Sequence, residues 1–220
     1  MPAPRFDQLH RQPGPFFLAL GGAGMFGANL YLYGSAGQWI GIDCGLALES
    51  TPSGDNRVSV PSLEALRRHD IQLSALLITH GHEDHIGAVE HLWRELNCPL
   101  YASPFTAQLI RSRLAPNLEW PVLHEISPLQ PVGLDHFQAE WIPVTHSIPE
   151  SHGILLQVAG RRLYHSGDWK LDPQPVVGGL TAEGRLRSIG REGVDVVIGD
   201  STNASVVGAS RSEGAVQDGL

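Results

Sequence analysis

The chain of 220 residues is long enough for one large domain or two small ones, and its apolar content of 42% is ordinary for a globular protein. The formal net charge of −8 argues against an extended basic surface for nucleic acid, although it leaves room for a local basic patch. The two cysteines, Cys44 and Cys98, are too few for a disulfide framework and lack a metal-binding spacing, which indicates a reducing compartment.

The N-terminal segment 1–14 is rich in proline and lacks the cationic start and long apolar region of a secretion signal. The apolar run that follows at 16–20 is too short to span a membrane. We therefore expect a flexible N-terminal segment in a cytoplasmic protein that has no membrane partner.

Apolar runs of four or five residues predict eight strands, and apolar residues at steps of three and four predict helices between some of them. The strands are predicted at 16–20, 29–33, 39–43, 75–79, 141–144, 154–158, 162–165 and 194–198. The helices are predicted at 62–69, 86–96, 104–114 and 182–192, and the proline-rich segment 116–131 is predicted to be a loop with short strands. Strands early and late with helices between them favour a layered α/β fold.

The segment 79–85, Thr-His-Gly-His-Glu-Asp-His, places three imidazoles and two carboxylates directly after the apolar run 73–78. Nitrogen and oxygen donors without thiolate suit a divalent ion such as zinc or manganese in a catalytic role. Residues two apart in an extended segment point the same way, so His80 and His82 are expected to hold one ion while Asp84 and His85 face a second. A His-rich surface turn would lack the strand and helix patterns that flank this segment.

Two more candidate ligands follow predicted strands further along the chain. His146 ends one strand before a proline-containing turn, and Asp168 follows a glycine just beyond another. Such a residue by itself is usually a turn residue or a cap, but the upstream cluster favours a ligand role for both. Glu83 is interpreted as a solvent-facing or supporting residue, and Lys170 as a solvated side chain.

Together these motifs resemble the metallo-β-lactamase superfamily, whose signature is Thr-His-x-His-x-Asp-His followed by a later histidine and a later aspartate after glycine. Three further segments resemble the ribonuclease J branch of the β-CASP nucleases. They are His-Ser-Ile-Pro-Glu-Ser at 146–151, Gly-Asp-Trp-Lys-Leu-Asp-Pro at 167–173 and Asp-Ser-Thr-Asn at 200–203. The opening glycine-rich turn 21–29 also resembles this family, but Met25 and Ala28 stand where polar or charged residues are usual.

The resemblance implies an αββα sandwich, in which two mixed β-sheets are covered by helices. It also implies two divalent metal ions, zinc being favoured over manganese or magnesium. The first ion would be bound by His80, His82 and His146. The second would be bound by Asp84 and His85, with Asp168 bridging the two.

The resemblance gives carboxylates two further kinds of role. Asp84 and Asp168 are the expected catalytic residues, because they would hold the attacking water at the ions. Asp43 and Asp200 would support the site from behind the ligands, Asp43 by orienting the ligand loop.

The implied domain organisation is a first part of a metallo-β-lactamase domain at 15–203 and the start of a truncated β-CASP insertion at 204–220. In this family a β-CASP domain follows and the chain then returns with two late histidines. We therefore expect this fold to be incomplete at its C-terminal end, and no functional role is assigned beyond residue 203.

The function implied by the resemblance is a metal-dependent phosphodiesterase that cleaves single-stranded RNA by exonuclease and endonuclease action. A homo-oligomer is left open. One alternative is a hydrolase of a small thioester, lactone or β-lactam, which segments 146–151 and 168–170 disfavour. The other alternative is an inactive, truncated metal-binding remnant.

Overall fold

The computed structural model describes residues 11–50, 55–113, 122–208 and 210–219. The chain divides into two compact units, Met1–Glu125 and Ile126–Leu220. Most of the expected flexible segment 1–14 lies outside the described residues. The expected boundaries at 15–203 and 204–220 stay predictions.

The first unit contains a six-stranded sheet and a two-stranded hairpin. In chain order its strands are β1 (Phe16–Gly21), β2 (Leu30–Ser35), β3 (Gln38–Ile42), β4 (Ala47–Ser50), β5 (Asn56–Ser59), β6 (Leu73–Leu77), β7 (Leu100–Ala102) and β8 (Leu123–Glu125). The sheet order is β1-β2-β3-β6-β7-β8, antiparallel as far as β3 and parallel from there on, and β4 pairs with β5. Because β3 and β6 are parallel neighbours, their carboxyl ends lie side by side.

Four helices pack against this sheet: α1 (Glu64–Arg68), α2 (Glu83–Ile86), α3 (Val89–Leu96) and α4 (Pro104–Arg113). Each contributes apolar side chains to one buried cluster with the central strands. Among its members are Leu66, Ile86, Val89, Ile110, Trp39 and Leu76. The apolar run of β6 is buried on both faces, which explains why it reads as continuous rather than alternating.

The second unit contains a five-stranded mixed sheet. Its strands are β9 (Val132–Leu134), β10 (Phe137–Pro143), β11 (His152–Val158), β12 (Arg161–His165) and β13 (Val196–Ile198), and its helices are α5 (Glu183–Glu192) and α6 (Glu213–Gln217). The order is β13-β12-β11-β10-β9, with only the β12–β13 pair parallel. Since β10 and β12 both run antiparallel to β11, they end at the same edge of the sheet.

The predicted α/β class with two mixed sheets is confirmed, and all eight predicted strands occur with ends shifted by a few residues. The sequence patterns do not predict β4, β5, β7 or β9, because none of these short strands contains a run of four apolar residues. None of the helices in the described part of the chain has the length and apolar character needed to cross a bilayer.

The helix predicted at 86–96 is wrong in one respect, since it is interrupted between α2 and α3. A continuous helix would need the amide of Ala88 to donate to the carbonyl of Asp84. That carbonyl instead accepts the backbone and side-chain N–H groups of Asn29, at 3.2 and 2.9 Å. The Ala88 amide donates to the carbonyl of Cys44 at 2.9 Å. Contacts from two distant segments therefore replace the helical bonds at this point.

Candidate metal centre

Asp43 lies at the end of β3, where it is fully buried and has a φ of 61°. Aspartate enters this left-handed region more readily than most residues. Its carboxylate accepts hydrogen bonds from the end of the neighbouring strand β6: from the Thr79 amide at 2.8 Å, the Thr79 hydroxyl at 2.9 Å, and Nδ1 of His85 at 2.7 Å. The paired ends of two parallel strands thus bring Asp43 behind the histidine cluster.

These contacts let us assign the ring nitrogens that donate. A carboxylate accepts hydrogen bonds, so we assign Nδ1 of His85 as the donor toward Asp43. The Thr79 hydroxyl donates its single hydrogen to Asp43, so its oxygen accepts from Nδ1 of His80 at 3.0 Å. With one proton on each ring, His80 and His85 therefore both present an unprotonated Nε2. A protein that holds a metal through imidazole orients the ring in this way.

His80 and His82 face each other through their remaining nitrogens. Nε2 of His80 lies 3.2 Å from Nδ1 of His82. Two nitrogens that bind one tetrahedral zinc at about 2.0–2.1 Å are separated by about 3.3 Å. The observed separation therefore fits two ligands of a single ion, and the residues present fit the expected metal.

Asp84 and His85 form the neighbouring part of the cluster. The Asp84 carboxylate lies 3.6 Å from Nε2 of His85, and the side chain of Asp84 is 42% exposed. One ligand atom of His80 and one of His85 lie within 4.8 Å of each other. An oxygen and a nitrogen donor thus stand beside the His80–His82 pair, close enough for a second ion.

The turn that carries these ligands, α2, is held by the loop that follows Asp43. The amide of Cys44 donates to the carbonyl of His85 at 2.8 Å. At Gly45 the two segments approach so closely that a Cβ would lie 1.5 Å from the Asp84 carbonyl oxygen. Glycine at position 45 is therefore required for the loop to lie against the ligand turn.

Glu83, for which the sequence predicts a solvent-facing or supporting role, positions this turn. Both oxygens of its carboxylate accept hydrogen bonds from the guanidinium of Arg113 at the end of α4. The hydrogen bond to Glu83 is the main cause that raises the pKa of Arg113. A two-pronged arginine contact restricts orientation as well as distance, so it ties α2 to α4.

Asn29 contacts the ligand turn, and the sequence gives it no role. Its Oδ1 accepts from the Tyr31 hydroxyl at 2.8 Å, and its Nδ2 donates to the Asp84 carbonyl and lies 3.2 Å from Nε2 of His85. The Tyr31 contact fixes which end of the amide faces the ligand turn. The signal in the sequence was the glycine-rich turn that ends at Asn29, but nothing local shows what the amide would contact.

In the second unit the structure brings His146 and Asp168 together. Nε2 of His146 lies 3.8 Å from the Asp168 carboxylate, and the side chains are 18% and 27% exposed. Each follows a strand that ends at the same edge of the sheet. Thr145 fixes the first strand end by a pair of hydrogen bonds with Thr181, at 2.9 and 3.0 Å.

Asp200 lies beside the segment that carries Asp168. Its amide donates to the hydroxyl of Ser166 at 2.9 Å, while its carboxylate accepts from the amide of Thr202 at 2.8 Å and is exposed. Among the described contacts its backbone, rather than its acid group, supports this loop. A role of the carboxylate at the site stays a prediction.

The sequence model of the metallo-beta-lactamase superfamily matches residues 23–185. The chain belongs to this superfamily. The matched range contains all the candidate ligands, from His80 to Asp168, so the resemblance noted from the motifs is confirmed at the level of the superfamily.

Relatives in the superfamily include proteins named ribonuclease J. The chain is 39% identical to ribonuclease J of Sinorhizobium meliloti over 211 residues, which cover 93% of this chain and 37% of that protein. It is 34% identical to ribonuclease J of Corynebacterium glutamicum over 199 residues, which cover 90% of this chain and 28% of that protein. The chain therefore spans only about a third of the length of these relatives.

Solved structures agree on the fold. A protein of unknown function from Enterococcus faecalis matches with a TM-score of 0.62 at 16% identity, covering 90% of this chain and 52% of that one. The metallo-beta-lactamase fold protein YhfI from Bacillus subtilis matches with a TM-score of 0.52 at 14% identity, covering 69% of this chain and 61% of that one. Both similarities concern the fold alone.

Proposed function

We propose that the chain is the metal-binding part of a metal-dependent ribonuclease similar to ribonuclease J. The observation that supports the metal part best is the pair of facing nitrogens of His80 and His82, 3.2 Å apart. The choice of RNA as substrate rests on the ribonuclease J relatives, the first of which is 39% identical over 93% of the chain. Family membership and the His and Asp groups support the use of divalent metal.

The proposed centre holds two divalent ions, with zinc favoured over manganese or magnesium because imidazole is the main ligand. His80, His82 and His146 would bind one ion, Asp84 and His85 would bind the other, and Asp168 would bridge them. Two observations support this assignment: the superfamily match extends over all of these residues, and the hydrogen bonds of His80 and His85 to Thr79 and Asp43 use Nδ1, the ring nitrogen opposite the one that would face the ions.

When bound, two such ions supply an acidified water and stabilise charge on a phosphoryl oxygen during displacement. The protein's own groups prepare for this chemistry. Asp43 accepts a hydrogen bond from Nδ1 of His85, and through the Thr79 hydroxyl it also orients Nδ1 of His80. Each ring therefore keeps its N–H group on the side away from the ions. Asp84 and Asp168 are proposed as the carboxylates nearest the reacting water, where they offset the positive charge.

The experiment measures zinc stoichiometry by calorimetry and cleavage of an end-labelled single-stranded RNA by the 220-residue chain. We expect two ions and metal-dependent cleavage. His82→Ala should lower the cleavage rate by at least about a hundredfold, which corresponds to about 2.7 kcal/mol of lost stabilisation. The matched control is His91→Ala, because the His91 side chain is 50% exposed and pairs with Glu90.

Three outcomes would contradict the proposal in different ways. Cleavage that survives His82→Ala would indicate a contaminating nuclease. One weakly held ion without cleavage would support the truncated remnant. Hydrolysis of a thioester, lactone or β-lactam without RNA cleavage would support the small-molecule hydrolase.

The remaining parts of the proposal concern location and assembly. Both cysteines are free and buried, which supports a reducing compartment and hence the cytoplasm. A homo-oligomer and a β-CASP insertion that starts at 204 stay predictions, which size-exclusion chromatography and the coding sequence around this chain would test.

A further inference from the structure

The segment that contains α6 is fastened to the loop that follows Asp168. Lys170 and Glu213 form an ion pair, and the Glu213 carboxylate also accepts from the Val176 amide at 2.8 Å. In return the Glu213 amide donates to the carboxylate of Asp172 at 2.8 Å. One residue therefore contacts this loop through both its side chain and its backbone.

This network is largely removed from solvent. The side chain of Asp172 is 2% exposed, that of Lys170 is 25% exposed, and that of Glu213 is 22% exposed. The pKa of Glu213 is lowered mainly by its hydrogen bond to Lys170, and the pKa of Asp172 is lowered mainly by the amide of Glu213. The prediction of a solvated Lys170 side chain is therefore wrong.

Lys170 links this network to the candidate ligands of the second unit. It lies two residues after Asp168, and its amide donates to the carbonyl of Thr145 at 2.9 Å, directly before His146. The backbone of Lys170 therefore joins the two strand ends that carry His146 and Asp168, while Glu213 restrains its side chain. A shift of Lys170 would therefore move both His146 and Asp168.

We propose that Glu213 is a positioning residue, which through Lys170 and Asp172 holds the loop that places Asp168 and His146 for metal binding. The inference rests on the proposed function, since it takes these two residues as ligands. It extends the functional part of the chain past residue 203 and beyond the superfamily match, which ends at 185. Residues that orient ligands from behind typically change metal affinity by about 10- to 100-fold when they are substituted.

The test is Glu213→Gln, which keeps the size of the side chain and removes its charge. We expect the affinity to fall by about tenfold for the zinc ion that His146 and Asp168 would both bind, with faster hydrogen exchange at the amides of Val176 and Val177 in the metal-free chain. The matched control is Glu183→Gln on α5, since Glu183 pairs with Arg187 on the exposed surface. This control should bind both ions like the unsubstituted chain.

The inference is overturned if Glu213→Gln folds and binds both ions like the unsubstituted chain. A lower melting temperature with unchanged affinities for both ions would also overturn the inference, because this result would indicate a merely structural role. If Glu213→Gln does not fold, Lys170→Gln breaks the same ion pair from the other side and carries the same expectation. Failure of the proposed function is distinguishable, because the unsubstituted chain would then fail to bind two ions.

Discussion

Replacing Asp43 by asparagine separates the charge of this residue from its shape. Asparagine is also tolerated in the left-handed conformation that Asp43 adopts at φ 61°, so the backbone can stay in place. In the metal-free chain the new amide can donate to Nδ1 of His85, and the imidazole then carries its proton on Nε2. The lone pair that a metal would use is then gone, and the fold loses the contact between Nε2 of His85 and the amide nitrogen of Asn29.

Asp43→Asn is expected to lower the affinity for metal. To bind an ion through Nε2, His85 must return its proton to Nδ1, where it now faces an N–H group instead of a carboxylate. A hydrogen bond to a charged group contributes about 1.5–3 kcal/mol. Taking about 2 kcal/mol, we expect an affinity loss of about 30-fold for the ion that depends on His85. The change at the other ion should be smaller, because the remaining carbonyl oxygen can still accept from Thr79.

Zinc calorimetry measures the two affinities, and nitrogen NMR of the metal-free chain reports the tautomer of His85. A suitable control is Asp70→Asn, since Asp70 also has a positive φ, 51°, but is exposed, and its amide bonds to the carbonyl of Arg67 rather than to a candidate ligand. Unchanged affinities together with an unchanged tautomer in Asp43→Asn would refute the reasoning.

Three other predictions follow from contacts of the fold. Gly45→Ala should lower the free energy of unfolding by about 3 kcal/mol in urea titrations, since its Cβ would meet the Asp84 carbonyl oxygen at 1.5 Å. Arg185→Met should lower it by about 3 kcal/mol, because Glu140 is 4% exposed and would lose both hydrogen bonds to the guanidinium, at 2.7 and 2.6 Å. Glu213→Gln should make thermal stability less sensitive to acid. Because the pKa of Glu213 is lowered in the native chain, its ionised form stabilises the fold at pH values above the ordinary pKa of 4.5. This stabilisation is lost as the pH falls through the lowered pKa.

Each of these changes has a control or a contradicting result. Gly190→Ala on α5 meets open space and should be neutral or stabilising. Arg187→Met removes an arginine whose side chain is 72% exposed, so the loss should stay below about 0.5 kcal/mol. Equal losses of stability in Arg185→Met and Arg187→Met would contradict the importance of the buried pair. The acid prediction would be contradicted if the melting temperatures of Glu213→Gln and of the unsubstituted chain fell by the same amount between pH 7 and 3.

The fold could be predicted from the sequence where the pattern is local and long enough. The apolar run before the histidine segment predicts β6, and its position before a helical pattern places the histidines at a strand end. The pairing of His80 with His82 also follows from a spacing of two residues. What fails is the helix 86–96, because its interruption depends on Asn29 and Cys44, which are distant in sequence.

The same reason explains which residues near the candidate ligands were missed. Asn29 contacts a residue 55 positions away, Arg113 one 30 positions away, and Glu213 one 43 positions away. A single side chain with no neighbour of matching chemistry carries no local signal, so its partner is visible only once the strands are paired. The resemblance to a family supplied Asp43, whose partner His85 is 42 positions away, but it did not supply Asn29 or Glu213.

The dependence of the histidine rings on Asp43 has a consequence for the order of folding and metal uptake. The bonds from Asp43 to Thr79 and His85 join residues 36 and 42 positions apart, so they exist only after β3 has paired with β6. Before that stage an unfolded chain offers zinc its histidines, including the three of the 79–85 segment, in unrestrained tautomers. Excess zinc present during refolding should therefore bind the denatured state and slow recovery, whereas zinc added after refolding should meet rings that are already oriented.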